Sequence, residues 1–117
     1  MGTYAYVAPE IVQDTDDILN QFEIESDMWA LGVIIFVLLA GKHPFDADSD
    51  RKLFNKILSC DYDFVPENIW ENISKECIEL IRKLLEPKIE ERYTPEQALN
   101  HSWFSYNETK FSKKTCW

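Results

Sequence analysis

Residues 27–40 are apolar nearly all round the helical wheel. A helix of that kind needs cover on every side and is expected at the centre of its fold. Gly41 is a natural stop for it, and Pro44 lies just beyond. A second helix is predicted over residues 49–59, where Leu53, Phe54, Ile57 and Leu58 share one face. The stretch from Tyr62 to Trp70, with Pro66 inside it, reads as a loop. A third helix follows Ser74, which can cap it, with Ile73 and Ile78 spaced as a hydrophobic staple. Its apolar face is expected to hold Ile78, Ile81, Leu84 and Leu85. Glu76 and Glu79 stand near its start, Arg82 and Lys83 near its end, as the helix dipole favours, and Pro87 stops it. A fourth helix opens on Thr94-Pro95-Glu96-Gln97, which supplies an N-cap, a proline at the first helical position and a glutamine for a capping box. Residues 1–12 read as an irregular segment and residues 13–26, rich in acidic side chains, as a solvated loop. Residues 105–117 form a polar tail, with Lys110, Lys113 and Lys114, that is expected to fray. The pattern predicts an all-α fold of about four helices and no strand.

Size and charge narrow this further. The 117 residues, 45% of them hydrophobic, fit one domain or part of one. A formal net charge of -9 argues against nucleic acid as a partner, because phosphate binding needs a basic surface, and it permits basic peptides. Cys60, Cys77 and Cys116 have neither pairing nor metal-ligand spacing and read as free thiols in a reducing compartment. No signal peptide is recognisable. The longest apolar run, Trp29 to Gly41, has 13 residues, whereas a membrane-spanning helix needs about 20. A cytoplasmic or nuclear location without a membrane partner is therefore expected. The Asp14/Asp16/Asp17 cluster lacks the glycine and distal glutamate of a calcium loop, so no metal site is expected there. His43 and His101 have no nucleophile or metal-ligand motif beside them and are expected to be structural. The sequons at Asn72 and Asn107 read as chance matches.

Four short motifs go beyond a small helical domain. Residues 2–10 read Gly-Thr-Tyr-Ala-Tyr-Val-Ala-Pro-Glu. Ser26-Asp27-Met28-Trp29-Ala30-Leu31-Gly32-Val33 opens the apolar helix, and Ala40-Gly41-Lys42-His43-Pro44-Phe45 closes it. Glu91-Arg92-Tyr93-Thr94 leads into Ala98-Leu99-Asn100-His101-Ser102-Trp103-Phe104. In that order, over residues 2–104, they resemble the end of the activation segment, the central helix, the turn after it and the last helix of Ser/Thr protein kinases. Tyr62-Asp63-Phe64 with Pro66 and Trp70 resembles the calcium/calmodulin-dependent group, which includes calcium-dependent, checkpoint and phosphorylase kinases. The long spacing from Glu10 to Asp27 is similar to that in the checkpoint and phosphorylase kinase types.

The resemblance implies a role for each motif residue. Thr3 would help shape the pocket for a Ser or Thr acceptor, and Tyr6, Val7 and Ala8 would form the floor under the following substrate residue. Glu10 and Arg92 would make a structural ion pair tying the activation segment to the lobe. A planar guanidinium suits such a bidentate contact better than an ammonium does. Asp27 would anchor the catalytic loop. Val37 stands where some basic-directed kinases place a glutamate for a substrate arginine, so that preference is not expected here.

Phosphoryl transfer needs a phosphate-covering Gly-rich loop, a strand lysine, an His-Arg-Asp-type loop and an Asp-Phe-Gly motif. None of these occurs in the 117 residues. The chain by itself is expected to be inactive, with no catalytic, cofactor or metal residue of its own. ATP and magnesium are expected only for a complete parent kinase. Two readings stand: a kinase represented by its C-terminal lobe, with a protein or peptide substrate and the upstream kinase segment as partners, and a stand-alone noncatalytic interaction module. The sequence of the tail gives no convincing calmodulin-binding helix, and only its three lysines keep that partner open.

Overall fold

The helix starts follow from local chemistry. Ser49, extended at its backbone, accepts the Lys52 N–H at 3.2 Å and starts one helix; Ser74 accepts the Cys77 N–H at 3.1 Å and starts another. Thr94 and Gln97 close a reciprocal capping box, with Thr94 N donating to Gln97 Oε1 at 2.9 Å. The computed structural model describes residues 6–13 and 22–104. Its helices are α1 (Pro9–Gln13), α2 (Glu23–Ala40), α3 (Asp50–Ser59), α4 (Glu67–Trp70), α5 (Lys75–Leu84) and α6 (Pro95–Leu99), with a 3-10 turn at Ile89–Glu91. Residues 102–104 are helical again. The described residues contain no strand, and the fold is all-α.

Three local expectations need correction. Pro9 does not sit in irregular chain but opens α1, where its missing N–H costs nothing. The central helix starts at Glu23 rather than at residue 27, so the acidic residues Glu23 and Glu25 lie in its first turn, where the dipole favours them. The stretch after Tyr62 contains the single turn α4. The helix ends obey the sequence more closely. Gly41 takes the left-handed conformation (φ 77°) and returns its N–H to Val37 O, ending α2. Cys60 does the same for α3 at φ 54°.

The core is built on one face of α2. Trp29, Val33 and Phe36 are fully buried against Phe45, Leu53 and Ile57 of the α3 region and Ile81 and Leu85 of the α5 region. Trp29 stacks on Phe45 at 5.5 Å. Phe36 meets Tyr62, Phe64 and Trp70 at 6.2, 5.7 and 4.9 Å, so the segment expected to be a plain loop is an aromatic wall of the core. On α5 the buried positions are Cys77, Leu80, Ile81 and Leu84; Ile78, expected on that face, is only half-buried. Met28, Leu80, Leu84 and Ala98 form a second cluster that seats α6. Gly32 lets α2 and α5 approach closely: a Cβ there would lie 2.8 Å from the Leu84 Cβ.

The opposite face of α2 is open. Ile24, Leu31, Ile34 and Leu38 are all exposed, Leu38 by 78%. With Asp27 they fall at i, i+3, i+7, i+10 and i+14, one stripe along the helix. The described residues thus supply the cover this helix needs on one face only.

Candidate substrate floor and its clamp

Tyr6, Val7 and Ala8 lead directly into α1. Ala8 is fully buried in the main core, and its carbonyl accepts the N–H groups of Ile11 and Val12 at 3.0 and 3.1 Å. Those bonds start α1 and fix the direction in which the segment enters the fold. Tyr6 packs on the same core and meets the His43 ring edge-on at 5.1 Å. His43 lines a cleft of about 240 Å3 with Asp46, Asp61, Asp63, Lys42 and Lys56. Thr3 lies outside the described residues, as do Asp14, Asp16, Asp17, Cys116 and the 105–117 tail.

Behind this segment sits a buried guanidinium. The Arg92 side chain is 0% exposed and that of Glu10 is 9% exposed. Arg92 Nη1 donates to Glu10 Oε2 at 2.7 Å and Nη2 to Glu10 Oε1 at 2.8 Å, a bidentate fork. Nη1 also reaches the Glu25 carbonyl at 2.8 Å, and Nε donates to the Glu86 carbonyl at 2.8 Å. The guanidinium carbon lies 5.2 Å from the Trp29 ring centroid, within cation–π range. Ser26 Oγ donates to Glu10 Oε2 at 2.7 Å. One residue just before α6 therefore holds α1, the first turn of α2 and the segment just after α5 together. Burial pushes the Glu10 carboxyl up; the hydrogen bonds from Arg92 and Ser26 outweigh it and hold the group below its ordinary value.

Sequence reasoning brought Glu10 and Arg92 forward but not Ser26, the Glu25 carbonyl or the Glu86 carbonyl. Backbone acceptors carry no sequence signal. The Ser26 hydroxyl could have been suspected only from its place beside Asp27 in the second motif. Asp27 itself is exposed on the open stripe of α2 and makes no hydrogen bond or ion pair among the described residues.

The remaining polar chemistry is structural in character. Cys60 donates to the Leu85 carbonyl at 3.3 Å; burial first, and then the Glu86 charge, push its thiol up to about 11. Burial also raises Cys77. Neither is an activated thiolate at neutral pH. Burial pushes Tyr62 up as well. Among the described residues no group of three His, Cys, Asp or Glu side chains could hold a metal ion. With no phosphate-binding loop in the sequence either, the residues present do not fit ATP or magnesium by themselves. No helix among the described residues is long and apolar enough to cross a membrane.

An all-helical lobe with a buried Glu–Arg clamp under an Ala-Pro-Glu turn belongs to the kinase class of folds. The family model described as "Protein kinase domain" matches residues 1–104, and the chain belongs to that family. Among its relatives are a probable myosin light chain kinase of Dictyostelium discoideum, 42% identical over 91% of this chain and 34% of the relative, and calcium/calmodulin-dependent protein kinase type 1B of Homo sapiens, 40% identical over 96% of this chain and 31% of the relative. The fold is similar to that of titin kinase (TM-score 0.74, 32% identity, 87% of this chain and 18% of that chain) and to the Rad53 kinase domain (TM-score 0.73, 33% identity, 89% and 39%). The chain spans about a third of the length of these curated relatives. It corresponds to the helical, strand-free C-terminal lobe of Ser/Thr kinase domains and lacks the ATP-binding elements.

Proposed function

We propose that this chain is the C-terminal-lobe part of a Ser/Thr protein kinase of the calcium/calmodulin-dependent group, and that the whole enzyme transfers the γ-phosphate of ATP to Ser or Thr of a protein substrate. Residues 1–104 are its kinase-domain portion and 105–117 a polar extension. Tyr6, Val7 and Ala8 make the floor under the substrate residue after the acceptor, and Thr3 contributes to the acceptor pocket. The observation that carries this reading is the Glu10–Arg92 clamp. It fixes the chain at the point where the floor enters α1, and a positioned substrate is most of what a kinase contributes beyond electrostatics. Asp27, exposed at the open face of α2, is the anchor for a catalytic loop supplied by upstream residues.

Complementation tests this. The upstream half of the kinase domain of a calcium/calmodulin-dependent relative, carrying the Gly-rich loop, the strand lysine and the magnesium ligands, is co-expressed with these 117 residues. Transfer from ATP to Ser and Thr peptides but not to Tyr peptides is expected, with loss on Arg92→Ala. Each half alone should be silent, and the 117-residue chain alone should show no Mg-ATP heat in calorimetry. An inactive complex that is nonetheless stably assembled would favour the second reading, a noncatalytic module. That reading draws on one observation: the core around Trp29 and Phe36 closes using described residues alone.

A further inference from the structure

Ser26 stands half-buried in the first turn of α2. Its own N–H is spent on the Phe22 carbonyl at 2.9 Å, and its hydroxyl donates to Glu10 Oε2 at 2.7 Å. That distance is in the short range of an O–H group on a carboxylate. Glu10 Oε2 thus has two donors, Ser26 Oγ and Arg92 Nη1, whereas Oε1 has Arg92 Nη2. The carbonyl of the preceding residue, Glu25, accepts from Arg92 Nη1 at 2.8 Å. Consecutive residues of α2 therefore address opposite members of the ion pair, one as donor to the carboxylate and one as acceptor from the guanidinium. The links to Glu10 differ in what they set. Arg92 reaches it from the segment before α6 and is itself fixed by the Glu86 carbonyl. The body of α1 packs against α3. The Ser26 hydroxyl is a direct bond from α2 to α1, two residues beyond Ala8, where the floor ends.

We infer that Ser26 is a positioning residue for the protein substrate: acting through Glu10, its hydroxyl sets where the floor of Tyr6, Val7 and Ala8 lies relative to α2. The inference rests on the kinase reading above and adds to it a residue that does not itself touch the substrate. The path is short. Ser26 holds the Glu10 carboxylate, Glu10 lies in the first turn of α1, and that turn is bonded back to the Ala8 carbonyl by the Ile11 and Val12 N–H groups. A shift of Glu10 is therefore passed on to Ala8. Loss of the hydroxyl would not open the clamp, since the Arg92 fork keeps a donor on each carboxylate oxygen. What it removes is the direct restraint between α2 and α1, and a misplacement of about 1 Å already degrades a positioned site. Asp27 is the next residue of α2. One turn thus carries both the alignment of the floor and the proposed anchor of the catalytic loop.

The complex with the upstream half tests this through two variants of equal shape. Ser26→Thr keeps a hydroxyl, and Ser26→Val puts a methyl group in its place, which cannot donate. Peptide and ATP are varied separately. Ser26→Val should raise KM for a Ser peptide about tenfold with KM for ATP unchanged, and Ser26→Thr should stay within about twofold of native on both. A purely structural loss lowers the amount of working enzyme, hence the apparent kcat, and moves neither KM. Ser26→Ala, which adds no bulk, should follow Ser26→Val, and it decides the matter where Ser26→Val does not assemble. A peptide KM unchanged in the variants without a hydroxyl, or raised equally in Ser26→Thr, would overturn the positioning role and leave the kinase reading intact. Failure of both Ser26→Val and Ser26→Ala to assemble with the upstream half would do the same, because Ser26 would then be structural. A native complex that assembles and transfers no phosphate would overturn the kinase reading itself, and this role with it.

Discussion

Arg92 shows how much one side chain can settle. It makes four hydrogen bonds and a cation–π contact from a fully buried position, joining three segments distant in sequence. Removing one partner of a buried pair typically costs ~3–5 kcal/mol, since the other charge is left without compensation. Arg92→Ala is expected to fall in that range in chemical denaturation. Arg92→Lys keeps the charge, but an ammonium cannot serve both Glu10 oxygens and the Glu25 and Glu86 carbonyls in one plane. It too should be clearly destabilised, and a double-mutant cycle with Glu10→Gln should show strong coupling. Coupling near zero would mean that the clamp is energetically idle. The pH dependence has a definite sign. The folded Glu10 carboxyl is held below its ordinary value of 4.5, so the unfolded chain takes up its proton first as pH falls. The stability it contributes is complete above that ordinary value and is lost as pH drops through the lower, folded value. Melting temperature measured down an acid series should fall more steeply below about pH 4.5 for the native chain than for Glu10→Gln.

At the scale of the element, legibility depended on whether a signal was local. Ser74, Thr94, Gln97 and Gly41 announce their helix ends because a cap is a contact between residues three or four apart. Replacing Ser74 or Thr94 by Ala should cost about 1 kcal/mol each in thermal unfolding. The turn α1 is not legible because a proline suits an irregular segment as well as a first helical position, and α4 is not legible because its four residues carry no period. The outer face of α2 is legible only in part: a wheel apolar all round says that cover is needed, not which residues provide it. The clamp was half legible. Its two charged side chains stand in motifs, but the carbonyls of Glu25 and Glu86 become acceptors only once α2 and α5 are packed together. That packing rests on Gly32, whose missing side chain admits Leu84. Gly32→Ala places a methyl group 2.8 Å from the Leu84 Cβ. The helical backbone would favour alanine by about 1 kcal/mol, whereas overpacking a core costs ~1–3 kcal/mol. Because the neighbour is a Cβ fixed to its own helix, the clash should win. A lower melting temperature is expected, and a higher one would mean that α5 can slide.

At the scale of the whole molecule, the two faces of α2 lead different lives. One carries Trp29, Val33 and Phe36 into a closed core, and the other presents Ile24, Leu31, Ile34 and Leu38 to solvent along one stripe. Contiguous apolar patches beyond a few hundred Å2 are uncommon on soluble monomers and favour association. The stripe runs past Asp27, so whatever covers it in a complete kinase domain also meets the proposed anchor residue. The 117-residue chain alone should therefore self-associate, and light scattering should report a concentration-dependent mass. Ile34→Lys with Leu38→Lys, both on the open face, should shift it toward monomer with helix content by circular dichroism unchanged, since neither residue is part of the buried core. Co-expression with the upstream half of a related kinase domain should achieve the same for the unaltered chain by covering the stripe, and the lysine pair should abolish assembly with that half. A native chain that is a monodisperse monomer, with a sharp cooperative melt, would show that the stripe is tolerated in water. The lobe would then be stable by its inner core alone.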